Sequence, residues 1–495
     1  MSDPGREVIE GSAHMKRFSF VPVFIGVLFL AASFCSARVI AGARLAQQGG
    51  GVEIQALSPN SSEQGGTGFV LSVVGKNFTS ASTVLWNGSS LPTKFVSSML
   101  ITAQITSSEL AKAGPDVVTV SDPEGGTSNG LKFEVPCVTA APAPASAQTR
   151  AQVGAYYFDG WSGPLTNFHF DGLPFGAYQG RQPISGWQDK NVCAVERQLA
   201  WAHNFGVDFF VFDWYWKAEL HESSDNLNSA LEITHGLADR HGMQYAILYV
   251  DGPPFDVSAA DWPSAVSEWV GYMKDPAYMR VNGKPVFFVI NVGEMYQIFG
   301  SDSGVRKALE QFREAAREQG LRGVYIVGGF GIPDGTVGQK TLTQGFEIAK
   351  ADGYDATAFY NYPFAPRAIN GELPFSTLVE AGYWTWNQAK DFGALPFIPT
   401  AMAGWDPRPW DEVEPNTGDL MWYSRTPTEV ANFVQDAIQW ANANSQVRPE
   451  AAPAPPLVLI EAWNEFGEGS HMLPTVGDGF SYGDAIAQML LKKPE

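Results

Sequence analysis

The sequence predicts an α/β protein, a (β/α)8 barrel behind an N-terminal immunoglobulin-like β-sandwich, and three observations carry that reading. Residues 151–495 alternate short apolar runs with amphipathic stretches, with room for eight strand and helix pairs. Residues 50–135 hold only short alternating segments between turn residues. An Ala/Pro tract at 136–150, "PCVTAAPAPASAQTR", separates the two, because alternating Pro disfavours helix and favours an extended spacer.

The N-terminus has the look of a targeting segment. Lys16 and Arg17 precede "FSFVPVFIGVLFLAASF", and "CSA" at Cys35–Ala37 supplies small residues for cleavage. Residues 1–37 are therefore expected to be a signal peptide, with Met15 as an alternative start and an uncleaved membrane anchor as the other reading of the apolar run. The expected location is secreted, periplasmic or cell-surface. Cleavage there leaves Cys137 and Cys193, too few for a disulfide framework or a four-ligand metal site; pairing and two free thiols both stay open.

Composition sets outer bounds. The 495 residues exceed one ordinary domain, and 45% hydrophobic content builds a large core. Asp and Glu number 52 against 32 Lys and Arg, a net charge of -20 that argues against nucleic acid or an anionic membrane as partner.

In the first domain, "FVLSVVG", "TVLWNG", "MLITAQI", "DVVTVSD" and "LKFEV" read as strands of the sandwich, with Trp86 in its core. The combination of "LSPNSSEQGG", "VVGKNF", "VLWNG" and "TSNGLKFEV" resembles the IPT/TIG family. That resemblance implies a spacer or an interaction module contacting a protein or the cell surface.

In the second domain the strand candidates are "VGAYYF", "DFFVFDW", "QYAILYV", "PVFFVIN", "GVYIVGG", "ATAFY", "FIPTAMAGW" and "LVLIEAWNE". Between them, stretches such as "GVRKALEQFREAAREQG" and "TEVANFVQDAIQWANAN" repeat apolar residues every three or four positions. A doubly wound open sheet is the alternative, but it needs a glycine-rich turn after its first strand, and "GGFGIPDG" lacks the required spacing.

A barrel of this kind carries its active site at the C-terminal ends of its strands. Those ends hold Tyr157, Asp159 and Trp161; Asp213, Trp214, Tyr215 and Trp216; Asp251; Asn291 and Glu294; Tyr360 and Tyr362; Trp405 and Asp406; and Asn464, Glu465 and Glu468, with His471 close behind. Mixed carboxylates and aromatics suit carbohydrate, whose C–H faces stack on rings and whose hydroxyls need acceptors. Tyr157, Trp161, Asp213, Trp214, Trp216, Asp251, Tyr360, Trp405, Asp406, Asn464 and His471 are the expected substrate contacts. Glu465 and Glu468 stand three apart beside Gly467 and Gly469, and two such carboxyls, one protonated and one ionised, are what glycoside hydrolysis usually needs.

"WNEFGEGSHMLPT" resembles the last-strand signature of the glycoside hydrolase family 99-like group, which includes WbsX-type proteins and endo-α-mannosidases. Supporting segments are "GVDFFVFDWYW", "YMRVNGKPVFFVIN", "YDATAFYNYP" and "AGWDPRPW", in family order. The resemblance implies a retaining, endo-acting hydrolase in which Glu465 acts as base on the substrate 2-hydroxyl and Glu468 as acid. It implies passage through a 1,2-anhydro sugar, with α-mannoside as one candidate substrate. Gly467 stands where the endo-mannosidases have His. The other classes considered are a WbsX-like glycosyltransferase and a non-catalytic polysaccharide-binding protein. No cofactor and no metal is expected: the seven His include no HExxH, and no P-loop or G-x-S-x-G elbow occurs.

Overall fold

The computed structural model describes residues 51–60, 62, 64, 68–111, 114–135, 151–162, 168–170, 173, 177–224, 227–330, 339–362, 371–411, 421–449 and 455–490. The expected signal peptide and Ala/Pro linker lie outside the described residues.

The N-terminal part is two antiparallel sheets. One orders Glu53–Ser58, Phe69–Lys76, Leu100–Ile105 and Thr93–Ser97; the other is built on Thr83–Trp86, Gly114–Asp122 and Leu131–Val135. Alternating residues Leu71, Val73, Ile101, Ala103, Val118 and Val120 are buried between them. Trp86 is in this core, its ring 5.1 Å from that of Phe133.

The second part is a parallel barrel. Its strands are β1 (Gln152–Tyr157), β2 (Phe209–Trp214), β3 (Gln244–Tyr249), β4 (Lys284–Val289), β5 (Tyr325–Gly328), β6 (Ala356–Ala358), β7 (Phe397–Ile398 and Thr400–Met402) and β8 (Leu457–Glu461). Each pairs in parallel with the next, and β8 pairs with β1. Pro399 divides β7: Phe397–Ile398 pairs with β6 and Thr400–Met402 with β8, and the ring closes through both halves. Proline has no N–H for a ladder, so a break at this point costs no bond.

Strands buried on both faces read as unbroken apolar runs, as in "FFVFDW", where all six residues are buried. The helices outside include α1 (Val192–Asn204), α2 (Ser229–Gly236), α3 (Trp262–Met273), α4 (Val292–Phe299), α5 (Asp302–Glu318), α6 (Gln339–Asp352), α7 (Phe375–Phe392), α8 (Arg408–Asp411), α9 (Pro427–Ala443) and α10 (Ser481–Leu490). Asn191 caps α1 by accepting the Cys193 and Ala194 N–H groups. Thr426 and Glu429 form a reciprocal capping box at α9, followed by Pro427 at its first position. Cys193, one of the two thiols left open above, is disulfide-bonded.

Candidate active site

Period-two alternation sorts the strand ends. On β2, Asp213 turns into the barrel and Trp214 turns out, its indole N–H 3.3 Å from Glu268 of α3 and its ring 5.0 Å from Trp269. On β1, Tyr156 turns in, its ring tilted against that of Tyr360 at 4.7 Å, whereas Tyr157 turns out and donates to Asp189 at 3.2 Å.

Inside the barrel mouth, one hydroxyl joins two acids. The Tyr360 hydroxyl lies 2.7 Å from Glu465 Oε1 and 3.1 Å from Asp213 Oδ2. Glu465 belongs to a short hairpin in which Asn464 and Glu465 pair with His471 and Ser470. The Ser470 hydroxyl in turn donates to the Glu461 carboxylate at 2.8 Å. Glu468 sits on the hairpin turn, where Gly469 has φ of 69° and its carbonyl neighbour, that of Glu468, accepts the Asp406 N–H. Gly467 has no such conformation, so the turn depends on Gly469.

Four carboxyls therefore gather at this end of the barrel, close enough to act on one another: Asp213, Glu461, Glu465 and Glu468. Burial raises Glu465 to about 7, against the bond from Tyr360, which favours its charge. Glu468 is held well above the ordinary range by burial, then by Glu465 and Asp213, with Asn361 opposing. Glu461 and Asp213 are raised for the same first reason, burial, followed by repulsion from neighbouring acids. One oxygen each of Asp213, Glu461 and Glu468 has no hydrogen-bond partner among the described residues. Among the described residues no group of three or more His, Cys, Asp or Glu could hold a metal ion.

The expected substrate contacts divide. Asp213 and Tyr360 join Glu465 and Glu468. Tyr157 and Trp214 do not; they face the helices, as above. Trp161 is buried, its indole N–H on the Asn464 carbonyl at 2.8 Å and its ring against Trp187 and Phe466. Asn464 clamps the Phe158 backbone, accepting its N–H at 2.9 Å and donating to its carbonyl at 2.8 Å, and thus ties β8 to β1. Trp216 is buried and stacks on Trp214 at 5.8 Å. Asp251 accepts the Asn291 N–H at 2.9 Å and interacts with Glu294 and Asp256. Trp405 is buried and its carbonyl accepts the Tyr423 N–H. Asp406 is paired with Arg181 and Arg408. His471 is buried, bonded to Asp478 at 3.2 Å and pushed down to about 3, first by burial and then by Arg425.

Sequence reasoning missed Glu461, Tyr156 and Asn361. Glu461 sits inside the apolar run "LVLIE", and an acid ending a fully buried strand was the available signal. It also missed the arginines 181, 408 and 425, which are scattered along the chain and meet only in the fold.

Comparison with known proteins adds the class. Residues 255–486 match a family model described as "Glycosyltransferase WbsX", and residues 53–135 match one described as "IPT/TIG domain". Both matches fall on the segments whose motifs carried the two resemblances. Among individual proteins it is similar to "Uncharacterized protein WxcX" of Xanthomonas campestris pv. campestris, at 24% identity over 341 residues in strain B100 and over 339 in strain ATCC 33913. Each alignment takes in 65% of this chain and 45% of the relative, so the chain spans less than half the length of the curated relatives it matches. The GH99 endo-alpha-mannosidase structure from Bacteroides thetaiotaomicron aligns at 16% identity and a TM-score of 0.42, over 66% of this chain and 88% of that one.

Proposed function

We propose that the barrel is a retaining glycoside hydrolase acting on a polysaccharide or glycan outside the cytoplasm, with Glu465 as base and Glu468 as acid. The observation that carries this is the Glu465–Tyr360–Asp213 hydrogen-bonded triad beside Glu468 and Glu461, four acids and a tyrosine at the end of one barrel. Carboxyls this close cannot all ionise together; the first proton lost holds the others on. Burial raises both Glu465, to about 7, and Glu468, and the Tyr360 hydroxyl donates to Glu465, favouring its charged form. That asymmetry supports Glu465 as the carboxylate and Glu468 as the carboxylic acid, the division of labour glycoside cleavage requires.

The proposed step follows. Glu465 takes the proton of the sugar 2-hydroxyl as that oxygen bonds to the anomeric carbon, and Glu468 gives its proton to the departing glycosidic oxygen. Water opens the resulting 1,2-anhydro sugar at the anomeric carbon, giving one proton to Glu468, while Glu465 returns its proton to the 2-oxygen. Asp213 and Tyr360 are the proposed positioning partners of Glu465. An extracellular location rests on the N-terminal stretch around "FSFVPVFIGVLFLAASF". The IPT/TIG domain is proposed as a spacer.

The deciding experiment screens microbial polysaccharides, α-mannans included, for release of reducing ends, with wild type, Glu465→Gln and Glu468→Gln. Either substitution should cost about 10²- to 10⁴-fold in kcat while ligand is still bound. Equal turnover by Glu468→Gln and wild type on a cleaved substrate rules the assignment out. The description of the matched family favours a second reading, transfer of a sugar rather than hydrolysis. It requires consumption of a nucleotide sugar, and a product elongated by one unit in its presence distinguishes it.

A further inference from the structure

Period two continues past the end of β2. Asp213 turns into the barrel, Trp214 turns out, and Trp216 stacks on Trp214 at 5.8 Å. Tyr215, between the two tryptophans, is therefore on the inner face with Asp213 and one layer nearer the mouth.

Tyr215 is held firmly there. One buried side chain grips its backbone twice: Asn228 accepts the Tyr215 N–H at 2.9 Å and donates to its carbonyl at 3.0 Å. The Ser224 N–H reaches the same carbonyl at 2.9 Å. Its ring makes T-shaped contacts with Phe158, at 6.2 Å, and with Phe255, at 4.9 Å. A clamped backbone and a ring packed on two sides fix where the hydroxyl points. The packing is not a seal, since 7% of the residue's surface stays accessible.

The hydroxyl itself is unspent. The tyrosines that follow β6 use theirs, Tyr360 on Glu465 and Asp213, Tyr362 on the Thr400 carbonyl. Tyr215 gives its proton to no group among the described residues. Burial first, then Asp213, Glu465, Asp159 and Glu468, hold its phenol well above the ordinary range, so it is a donor at neutral pH. Carboxylates only accept: they take the protons of sugar hydroxyls and leave the lone pairs of those oxygens unanswered. In the proposed reaction the Glu468 proton goes to the departing oxygen and the Tyr360 proton stays with its two acids. The Tyr215 proton is available to the sugar.

We infer that Tyr215 is a substrate-binding residue, its hydroxyl donating to a hydroxyl oxygen of the sugar unit being cleaved while Phe158 and Phe255 aim it. The inference rests on the hydrolase reading above and deepens it. The substrate must present an acceptor oxygen in the layer over the acids, and a unit lacking that oxygen is discriminated against.

Turnover and binding test it together. Full-length wild type, Tyr215→Phe, Glu468→Gln and the double variant are compared on α-mannan and on the other microbial polysaccharides of the screen. Tyr215→Phe keeps the ring and loses only the hydroxyl, so its Tm should match that of wild type. Its kcat/KM on a cleaved polymer should fall about tenfold, with both limbs of the pH profile unmoved. Monodeoxy fragments of that polymer locate the acceptor: the one missing the partner oxygen should lose about tenfold with wild type and nothing further with Tyr215→Phe. In the Glu468→Gln background, adding Tyr215→Phe should weaken binding of the intact fragment and leave that of the matching monodeoxy fragment unchanged. A change in kcat/KM of under about twofold overturns the inference, because the substrate then ignores the hydroxyl. A fall that comes with a displaced pH limb overturns it too, because Tyr215 then acts through the acids. Neither result touches the hydrolase reading, which fails if Glu468→Gln cleaves like wild type. A wild type that neither cleaves nor binds any of the polymers ends both.

Discussion

The Tyr360 hydroxyl has one proton and two carboxylates within reach, Glu465 at 2.7 Å and Asp213 at 3.1 Å. The shorter bond goes to Glu465 and favours the charged form of the proposed base. Tyr360→Phe removes that support. A net hydrogen bond of about 1 kcal/mol corresponds to somewhat under one pKa unit, so the acidic limb of kcat/KM should move upward by about that much. A pH–rate profile checks it, and an unmoved limb means that Tyr360 does not tune Glu465. At this scale the sequence singled out the two glutamates as candidates through their glycine-flanked spacing. It named Tyr157 where the fold uses Tyr156, because adjacent residues on a doubly buried strand are equally aromatic and differ only in the face they present.

The element that matters most is β8 with its hairpin. Gly469 holds a left-handed φ of 69°, and an added Cβ would lie 2.7 Å from Asp406 Cβ and 3.0 Å from its nitrogen. Gly469→Ala should therefore lower thermal stability and displace Glu468, with activity falling more steeply than Tm. If the variant keeps wild-type activity, the turn is not what positions the acid. Asn464 is the second support. Asn464→Ala leaves the Phe158 N–H and carbonyl without their partner in a part-buried setting, at a cost of about 1 to 2 kcal/mol by denaturant titration. On the periphery, Thr426→Ala removes the α9 capping box and should cost about 1 kcal/mol. The caps and strands were readable in sequence because they depend on local order. The Asn464 clamp was not, since it joins residues 306 apart.

Across the whole molecule, buried acids link stability to pH. Burial raises Glu465 to about 7, and Asp189 and Asp208 to about 6, above ordinary carboxyl values near 4. Between about pH 4 and 7 the folded chain keeps protons that the unfolded chain has released, so stability falls as pH rises through that window. Asp122 acts oppositely: hydrogen bonds from Ser82 and Thr79 lower it, and its contribution is lost only below the ordinary carboxyl range. Thermal unfolding should thus show a higher Tm at pH 5 than at pH 7.5. Glu465→Gln should shrink the difference; a flat profile in wild type would contradict the burial of these acids.

The sequence alone determined the sandwich-and-barrel architecture and its parallel strands, and pointed to Glu465 and Glu468 as candidates, because hydrophobic period, turn residues and short-range spacing are local properties of a chain. Only the tertiary structure decided which strand-end residues face the barrel interior and that Tyr360 bridges Glu465 to Asp213. It also decided that Glu461 is a fourth buried acid and that Arg181, Arg408 and Arg425 gather into one cavity. Each of those depends on which face a residue presents and on partners far along the chain, and closure of the barrel is what brings such residues together.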